Sequence, residues 1–264
     1  GTSTDSNANP ANGQATVTTP ASGNNSATPG SVDEPTIDAG LVELVSIGDY
    51  VWYDRNRDGQ QGAPADEPVA AGVTVNLLDS AGNPAVLPGG APVTTVTDAN
   101  GSYSFTNLLA GETYVVEFVK PADTIFTMAN EGDDATDSDA DVVTGKVTVV
   151  APITGANSAS SPDNPTIDAG LIELVSIGDY VWYDRNLDGQ QGAAADEPVV
   201  AGVVVNLYGP DGVLVGSTTT DANGFYSFNN LLGGVTYTVE FVKPADTIIT
   251  QQNAAGNTVD AVDS

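Results

Sequence analysis

The chain is written nearly twice. Ile37-Asp38-Ala39-Gly40-Leu41 and Val51-Trp52-Tyr53-Asp54-Arg55-Asn56 return as Ile167-Asp168-Ala169-Gly170-Leu171 and Val181-Trp182-Tyr183-Asp184-Arg185-Asn186, a shift of 167 − 37 = 130 residues. Thr97-Asp98-Ala99-Asn100-Gly101 returns as Thr220-Asp221-Ala222-Asn223-Gly224, a shift of 220 − 97 = 123, so the second copy is 130 − 123 = 7 residues shorter upstream of that point. A solenoid unit runs about 20–50 residues, whereas this period has the size of a small domain. Each copy must therefore bury its own core, and the chain reads as part of a tandem array, a building material before a catalyst.

Of 264 residues, 35 are acidic and 6 basic, a formal charge of −29, with no His and no Cys. That balance excludes nucleic acid and anionic membrane surfaces as partners, since both require a basic face. No run approaches the ~18–20 apolar residues of a membrane span, so direct membrane insertion is not expected. The folded chain repels itself unless salt or bound cations intervene. Without Cys, stability must come from sheet cores and from metal rather than from disulfides. Without His or Cys the common nucleophile–base pairs are missing, and the carboxylates that could hydrolyse glycosides sit in a turn pattern, so an enzyme is not expected.

The periodicity is that of strands. Val73, Val75 and Leu77 alternate with polar residues, as do Tyr103 and Phe105, and Tyr114, Val116 and Phe118 occupy alternate positions, the period of two that suits a half-buried strand. Asn100-Gly101 marks a hairpin turn, and Pro121 and Pro244 end strands by removing an N–H donor. The expectation is all-β: tandem Greek-key, prealbumin- or Ig-like sandwich modules of about seven strands each, near 47–54, 73–79, 92–97, 102–107, 113–119, 144–150 and 166–172.

One complete module is expected over 45–174. Residues 1–44 correspond to the end of a preceding module, with Thr16–Thr19 matching the strand near Val147, and 175–264 to the beginning and middle of the next. Two readings stay open: an excerpt of a longer array, or residues 12–41 of one copy completing the truncated module of another by strand addition, which builds a head-to-tail filament. The junction Leu171–Ser176 contains no Gly/Ser/Pro linker and so favours a fixed angle between modules. The flexible-looking stretches Ala21–Ser31 and Thr154–Asn164 fall inside each period.

Asp54-Arg55-Asn56-Arg57-Asp58-Gly59-Gln60 recurs as Asp184-Arg185-Asn186-Leu187-Asp188-Gly189-Gln190. This is the D-x-N-x-D-G opening of an EF-hand-type loop, in which side chains at positions 1, 3 and 5 and the carbonyl at position 7 converge on Ca2+, with Gly at position 6 for the turn. Asp54, Asn56, Asp58 and the Gln60 carbonyl, and Asp184, Asn186, Asp188 and Gln190, are the candidate ligands. The twelfth position is Ala65, or Ala195, so the loop must close late: Glu67 and Glu197 are the expected closing carboxylates, with Asp66 and Asp196 as alternatives. Asp, Asn and Gly are also ordinary turn residues. A second acidic cluster, Asp133, Asp134, Asp137, Asp139 and Asp141, reads as a solvated loop or as a weaker calcium site, and Asp260 and Asp263 are all that copy two retains of it.

Together Ser46–Trp52, Asp54-x-Asn56-x-Asp58-Gly59, Glu67-Pro68, Gly72–Leu77, Thr97–Phe105 and Thr166–Gly170 resemble the B repeats of serine–aspartate-repeat surface adhesins, of the collagen-adhesin B-type, prealbumin-like sandwich class. The resemblance implies a calcium-stiffened stalk at an extracellular cell surface, secreted or anchored, whose partners are neighbouring repeats. Some relatives carry a Lys–Asn isopeptide link between first and last strands; Ile47–Tyr53 and Thr166–Leu171 offer neither residue, so none is expected. The alternative function is an adhesive module that binds glycan or protein directly, with Trp52, Trp182 and neighbouring tyrosines as a platform, although aromatics within strands more often belong to a core.

Overall fold

The computed structural model describes residues 6–23 and 37–251. Its regular structure is β, apart from a single 3-10 turn at Pro88–Gly90. Among the described residues no helix is long and apolar enough to cross a membrane.

Alternation places one face of each strand inward. In the first layer β4 (Thr94–Val96), β3 (Thr74–Asp79), β6 (Thr113–Val119) and β8 (Lys146–Val150) lie in that order, all antiparallel. Val75 and Leu77 of β3 and Tyr114, Val116 and Phe118 of β6 are buried. The second layer pairs β1 (Leu44–Ile47) with β5 (Phe105–Leu109). Beside them β2 (Val51–Tyr53) runs parallel to the start of β9 (Ala169–Tyr180), which is flanked on its other side by antiparallel β7 (Thr124–Phe126). Val51 N donates to Gly101 O and Tyr103 N to Asp49 O, each at 2.9 Å, and these bonds join the two parts. Between the layers Ile47, Leu77, Leu108, Val116 and Leu171 are all fully buried. Tyr103 meets Phe118 edge-on at 5.5 Å between ring centroids, and its hydroxyl donates to Ile167 O at 2.7 Å. The expected all-β sandwich, with crossovers of Greek-key type, is the observed class.

Several boundaries differ from the sequence reading. The strand expected at 47–54 is broken into β1 and β2 around Gly48. A Cβ on Gly48 would lie 2.3 Å from the Tyr103 carbonyl oxygen, and one on the equivalent Gly178 would lie 2.4 Å from that of Tyr226. The strand expected at 102–107 is displaced to β5, because Ser102 makes only an isolated bridge to Tyr50. β7, at three residues, is too short to show a periodicity. Gly48→Ala is expected to lower the unfolding free energy by about 1–3 kcal/mol, seen as a reduced urea midpoint at unchanged m-value; an unshifted midpoint would mean that the close approach is not required.

The strand expected at 166–172 does not stop at the module boundary. β9 runs for 12 residues through the junction. Its first part pairs with β2 and β7, and Leu174–Tyr180 pairs with β12 (Phe225–Leu232) of the second module. There β10 (Val204–Tyr208) lies between β11 (Leu214–Thr219) and β13 (Thr238–Val242). The register repeats: Leu44 opposes Leu109 and Ile47 opposes Phe105, as Leu174 opposes Leu232 and Ile177 opposes Phe228. The second core is smaller among the described residues, with Val205, Leu207, Tyr226 and Phe228 at its centre.

The strands expected at Thr16–Thr19 and Ile37–Gly40 are not formed. Both segments are exposed and irregular, since a strand needs a sheet beside it and these have none among the described residues. Ile37 is 42% exposed whereas its counterpart Ile167 is 5%. The Thr154–Asn164 loop, which reads as flexible, is pinned: Asp163 accepts from both the backbone N–H and the hydroxyl of Ser46. The corresponding Ala21–Ser31 stretch lies mostly outside the described residues.

Candidate metal centre

The acidic loop leaves β2 and folds around its own first carboxylate. Asp54 is 1% exposed. Its Oδ1 accepts from Arg57 N, and its Oδ2 from Gly59 N and from the Thr127 hydroxyl beyond β7. Asn56 Oδ1 accepts from Asp58 N and Asp58 Oδ1 from Gln60 N, both at 2.9 Å. Arg57 takes a left-handed φ of 64° and Gly59 one of 78°. Gly59 is required for a further reason: a Cβ there would lie 2.8 Å from the Met128 carbonyl. The Asn56 amide also donates to Asp58 Oδ2 at 3.0 Å. Gln60 sits opposite Asp137 in an isolated bridge, flanked by Gln61 N donating to Thr136 O.

Closure comes from a helical turn in which Asp66 N and Glu67 N both donate to Ala63 O at 2.9 Å. That turn buries Glu67 and leaves Asp66 exposed. Glu67 Oε2 accepts from Gly62 N at 2.6 Å, and a Cβ on Gly62 would lie 2.7 Å from that oxygen and displace the carboxylate. The other oxygen, Glu67 Oε1, is buried and receives no hydrogen bond. Asp54, Asp58 and Glu67 each offer a carboxylate oxygen within 4.8 Å of the others. Burial first, then the charges of Asp54 and Asp58, pushes the Glu67 carboxyl above its ordinary range despite its backbone bonds to Gly62 and Asn56.

The second copy repeats the arrangement. Asp184 accepts from Leu187 N, Gly189 N and the Thr250 hydroxyl. Asn186 accepts from Asp188 N and Asp188 from Gln190 N. Gly192 N donates to Glu197 Oε2 at 2.6 Å, Glu197 Oε1 is again buried without a donor, and Asp184, Asp188 and Glu197 converge within 4.8 Å. Asp196 is exposed. Three carboxylates meeting around a buried, unsatisfied oxygen suit a hard cation. Gly62 and Thr127, with their counterparts Gly192 and Thr250, escape the sequence reading. The Gln-Gln-Gly that recurs in both copies is the signal for the glycines, while nothing local marks the threonines.

The second acidic cluster is dispersed. Asp133 and Asp141 accept hydrogen bonds from their own turns, and Asp137 accepts from Gly132 N with its Oδ1 buried and unpartnered. Asp139 turns inward, accepting from Asp168 N at 2.7 Å. Asp168 is fully buried; its Oδ1 accepts from Tyr50 N at 3.1 Å and its Oδ2 has no partner. Burial, then the charges of Asp49 and Asp139, pushes the Asp168 carboxyl up to about 9. Asp139, for burial first, is raised to about 7, and Asp49, by burial, to about 6. Half-buried Asp139 thus lies with half-buried Asp49 and fully buried Asp168, neither of which the sequence reading placed in a site. Their signal is an Asp inside an otherwise apolar strand motif, repeated as Asp179 and Asp38. Asp260 and Asp263 lie outside the described residues. Trp52 is fully buried, so it offers no surface platform for a glycan.

The chain matches the SdrD B-like domain over residues 45–171 and again over 175–264. It is similar to serine-aspartate repeat-containing protein C of Staphylococcus aureus strain N315, at 42% identity over 219 residues, 82% of this chain and 20% of that protein. The same protein from strain Newman matches at the same identity and coverage. The chain thus spans about a fifth of the length of these curated relatives. Among solved structures, a streptococcal ancillary pilin is similar at a TM-score of 0.35 and 14% identity, over 84% of this chain and 61% of that one. The shaft pilin SpaA from Lactobacillus rhamnosus GG is similar at 0.28 and 13%, over 78% and 89%. An extracellular cell-surface location accords with these relatives. With matches covering both repeats, each carrying its own acidic loop, the chain belongs to the SdrD B-like domain family.

Proposed function

We propose that this chain is a calcium-stabilised structural repeat of an extracellular surface protein, a non-enzymatic stiff link in a stalk or filament. Asp54, Asn56, Asp58, the Gln60 carbonyl and Glu67 would hold one ion, and Asp184, Asn186, Asp188, Gln190 and Glu197 another. The observation that carries this reading is the buried Glu67 Oε1, which lacks a hydrogen-bond donor beside two further carboxylates and is duplicated at Glu197. A bound Ca2+ would supply the positive charge that the converging carboxylates lack. The residues do the rest: Gly59 and Gly62 permit the turn, and Thr127 ties Asp54 to the strand beyond.

Extracellular modules bind calcium with Kd on the order of 10⁻⁴–10⁻³ M, and free ion at ~10 times Kd adds about 1.4 kcal/mol per site. The partners on this reading are neighbouring repeats. The exposed Ile37–Leu41, identical in sequence to the buried Ile167–Leu171, is the strand through which head-to-tail addition to another copy would run. Calorimetric titration and thermal melts of the 264-residue chain, with calcium and with chelator, test the proposal. Saturable binding at both loops and a melting temperature several degrees higher with calcium are expected, by about 2–6 °C per kcal/mol. No binding at millimolar calcium would overturn it.

A further inference from the structure

Both arginines of the first acidic loop turn away from its carboxylates and toward the module junction. Arg57 Nη1 donates to the Gly233 carbonyl at 3.1 Å, across 176 residues of sequence. Arg55 Nε lies 3.6 Å from Glu173 Oε2 on β9. Gly233 belongs to the turn after β12, and that turn rests on the junction strand: a Cβ on Gly233 would meet Val175 Cγ1 at 3.7 Å and Glu173 O at 3.9 Å. The loop of one module, the strand between modules and a turn of the next module thus meet at one place.

We propose that the first acidic loop is also the clamp of the inter-module junction, with Arg57 as its latch on Gly233, so that cation occupancy at Asp54, Asp58 and Glu67 sets how rigidly the two modules are held. This rests on the cation reading above. The coupling is short. Arg57 N donates to Asp54 Oδ1, so the residue that carries the latch is hydrogen-bonded to a proposed ligand. Without a cation three close carboxylates repel one another, and a loop that spreads to separate them carries the guanidinium off Gly233. β9 alone resists stretching, but a single strand between two bodies can still bend and twist, and a lateral contact removes that freedom.

The second copy supplies the control. Leu187 replaces Arg57 with nearly the same φ, 62° against 64°. Its side chain is 76% exposed, its backbone N–H still donates to the first carboxylate, and Arg185 bonds Asp196 O within its own loop. Leucine at this position is therefore compatible with the loop and lacks only the latch.

The test uses the whole 264-residue chain, which has no native cysteine. Spin labels attached through Ser80→Cys and Val213→Cys, both at exposed positions, report the inter-module distance distribution by electron–electron double resonance. A narrow distribution in calcium that broadens in chelator is expected, and Arg57→Leu should be broad even in calcium. By reciprocity Arg57→Leu also weakens calcium at the first loop by about fivefold and leaves the second loop unchanged. An Arg57→Leu distribution as narrow as the parent's in calcium overturns the clamp. Calorimetric calcium binding with a width indifferent to chelator overturns the clamp and leaves the cation reading standing; absence of calcium binding brings down both.

Discussion

Asp54→Ala is expected to melt the first module about 10–20 °C below the parent chain, in chelator as well as in calcium. The side chain is 1% exposed and accepts from Arg57 N, Gly59 N and the Thr127 hydroxyl. Removing it orphans three donors, two of them backbone, and each unsatisfied buried group costs about 1–3 kcal/mol. Thr127 N in turn donates to Gly170 O at 3.0 Å, so the loss also loosens the attachment of the loop to β9. Calcium widens the gap, because the variant loses the ion's contribution as well. Asp184→Ala should cost less, since Asp184 is only half-buried. Differential scanning calorimetry resolves the comparison, and an Asp54→Ala chain melting within about 3 °C of the parent would contradict this account of the loop.

In chelator the chain is expected to be more stable at pH 5 than at pH 8. Asp168, Asp139 and Asp49 are raised to about 9, about 7 and about 6, against about 3.9 for an unfolded aspartate. Between those values the folded chain binds more protons than the unfolded one, so stability is greatest while the group is protonated and is lost as pH rises from about 4 to 9. Glu67, raised by burial, acts in the same direction. Asp98, Asp141 and Asp221 are lowered, chiefly by backbone hydrogen bonds from Ser102, Thr144 and Phe225. They work the other way, removing stability only as pH falls through the ordinary carboxylate range. Cation-free stability should therefore peak near pH 4–5, with a loss on the order of several kcal/mol by pH 9. Calcium bound at the two loops offsets part of that loss, by about 1.4 kcal/mol per site. Asp168→Asn keeps the Oδ1 acceptor for Tyr50 N and removes the strongest titration, so its loss of stability in chelator between pH 5 and 8 should be clearly smaller than the parent's, with Asp139 and Asp49 supplying the remainder. Urea midpoints at pH 5, 6.5 and 8 decide the matter; stability that rises with pH in chelator would show that the buried group is not strained.

What the sequence showed and what it hid divide by range. β6 was readable at 113–119 to the residue because every second side chain is apolar and buried. The acidic loop was readable because its turns are local: Asn56 and Asp58 each accept from a backbone N–H two residues on. The burial of Glu67 beside Asp54 and Asp58 became visible only with the turn begun by Ala63. Thr127 lies 73 residues from the Asp54 that it serves, and Tyr50 lies 118 residues from Asp168. No spacing rule reaches that far. The crowding at Gly48 was hidden for the same reason, because the Tyr103 carbonyl that leaves no room for a Cβ there comes from a distant part of the chain.

The 12 residues of β9, about 40 Å at ~3.3 Å each, belong to both modules at once. A pull along the array enters one fold through the same extended backbone by which it leaves the other. No coil lies between them to take up the first increments of load. In a stalk of such modules, extension would therefore proceed by rupture of whole modules, and length would hold until the weaker of the two folds gave way.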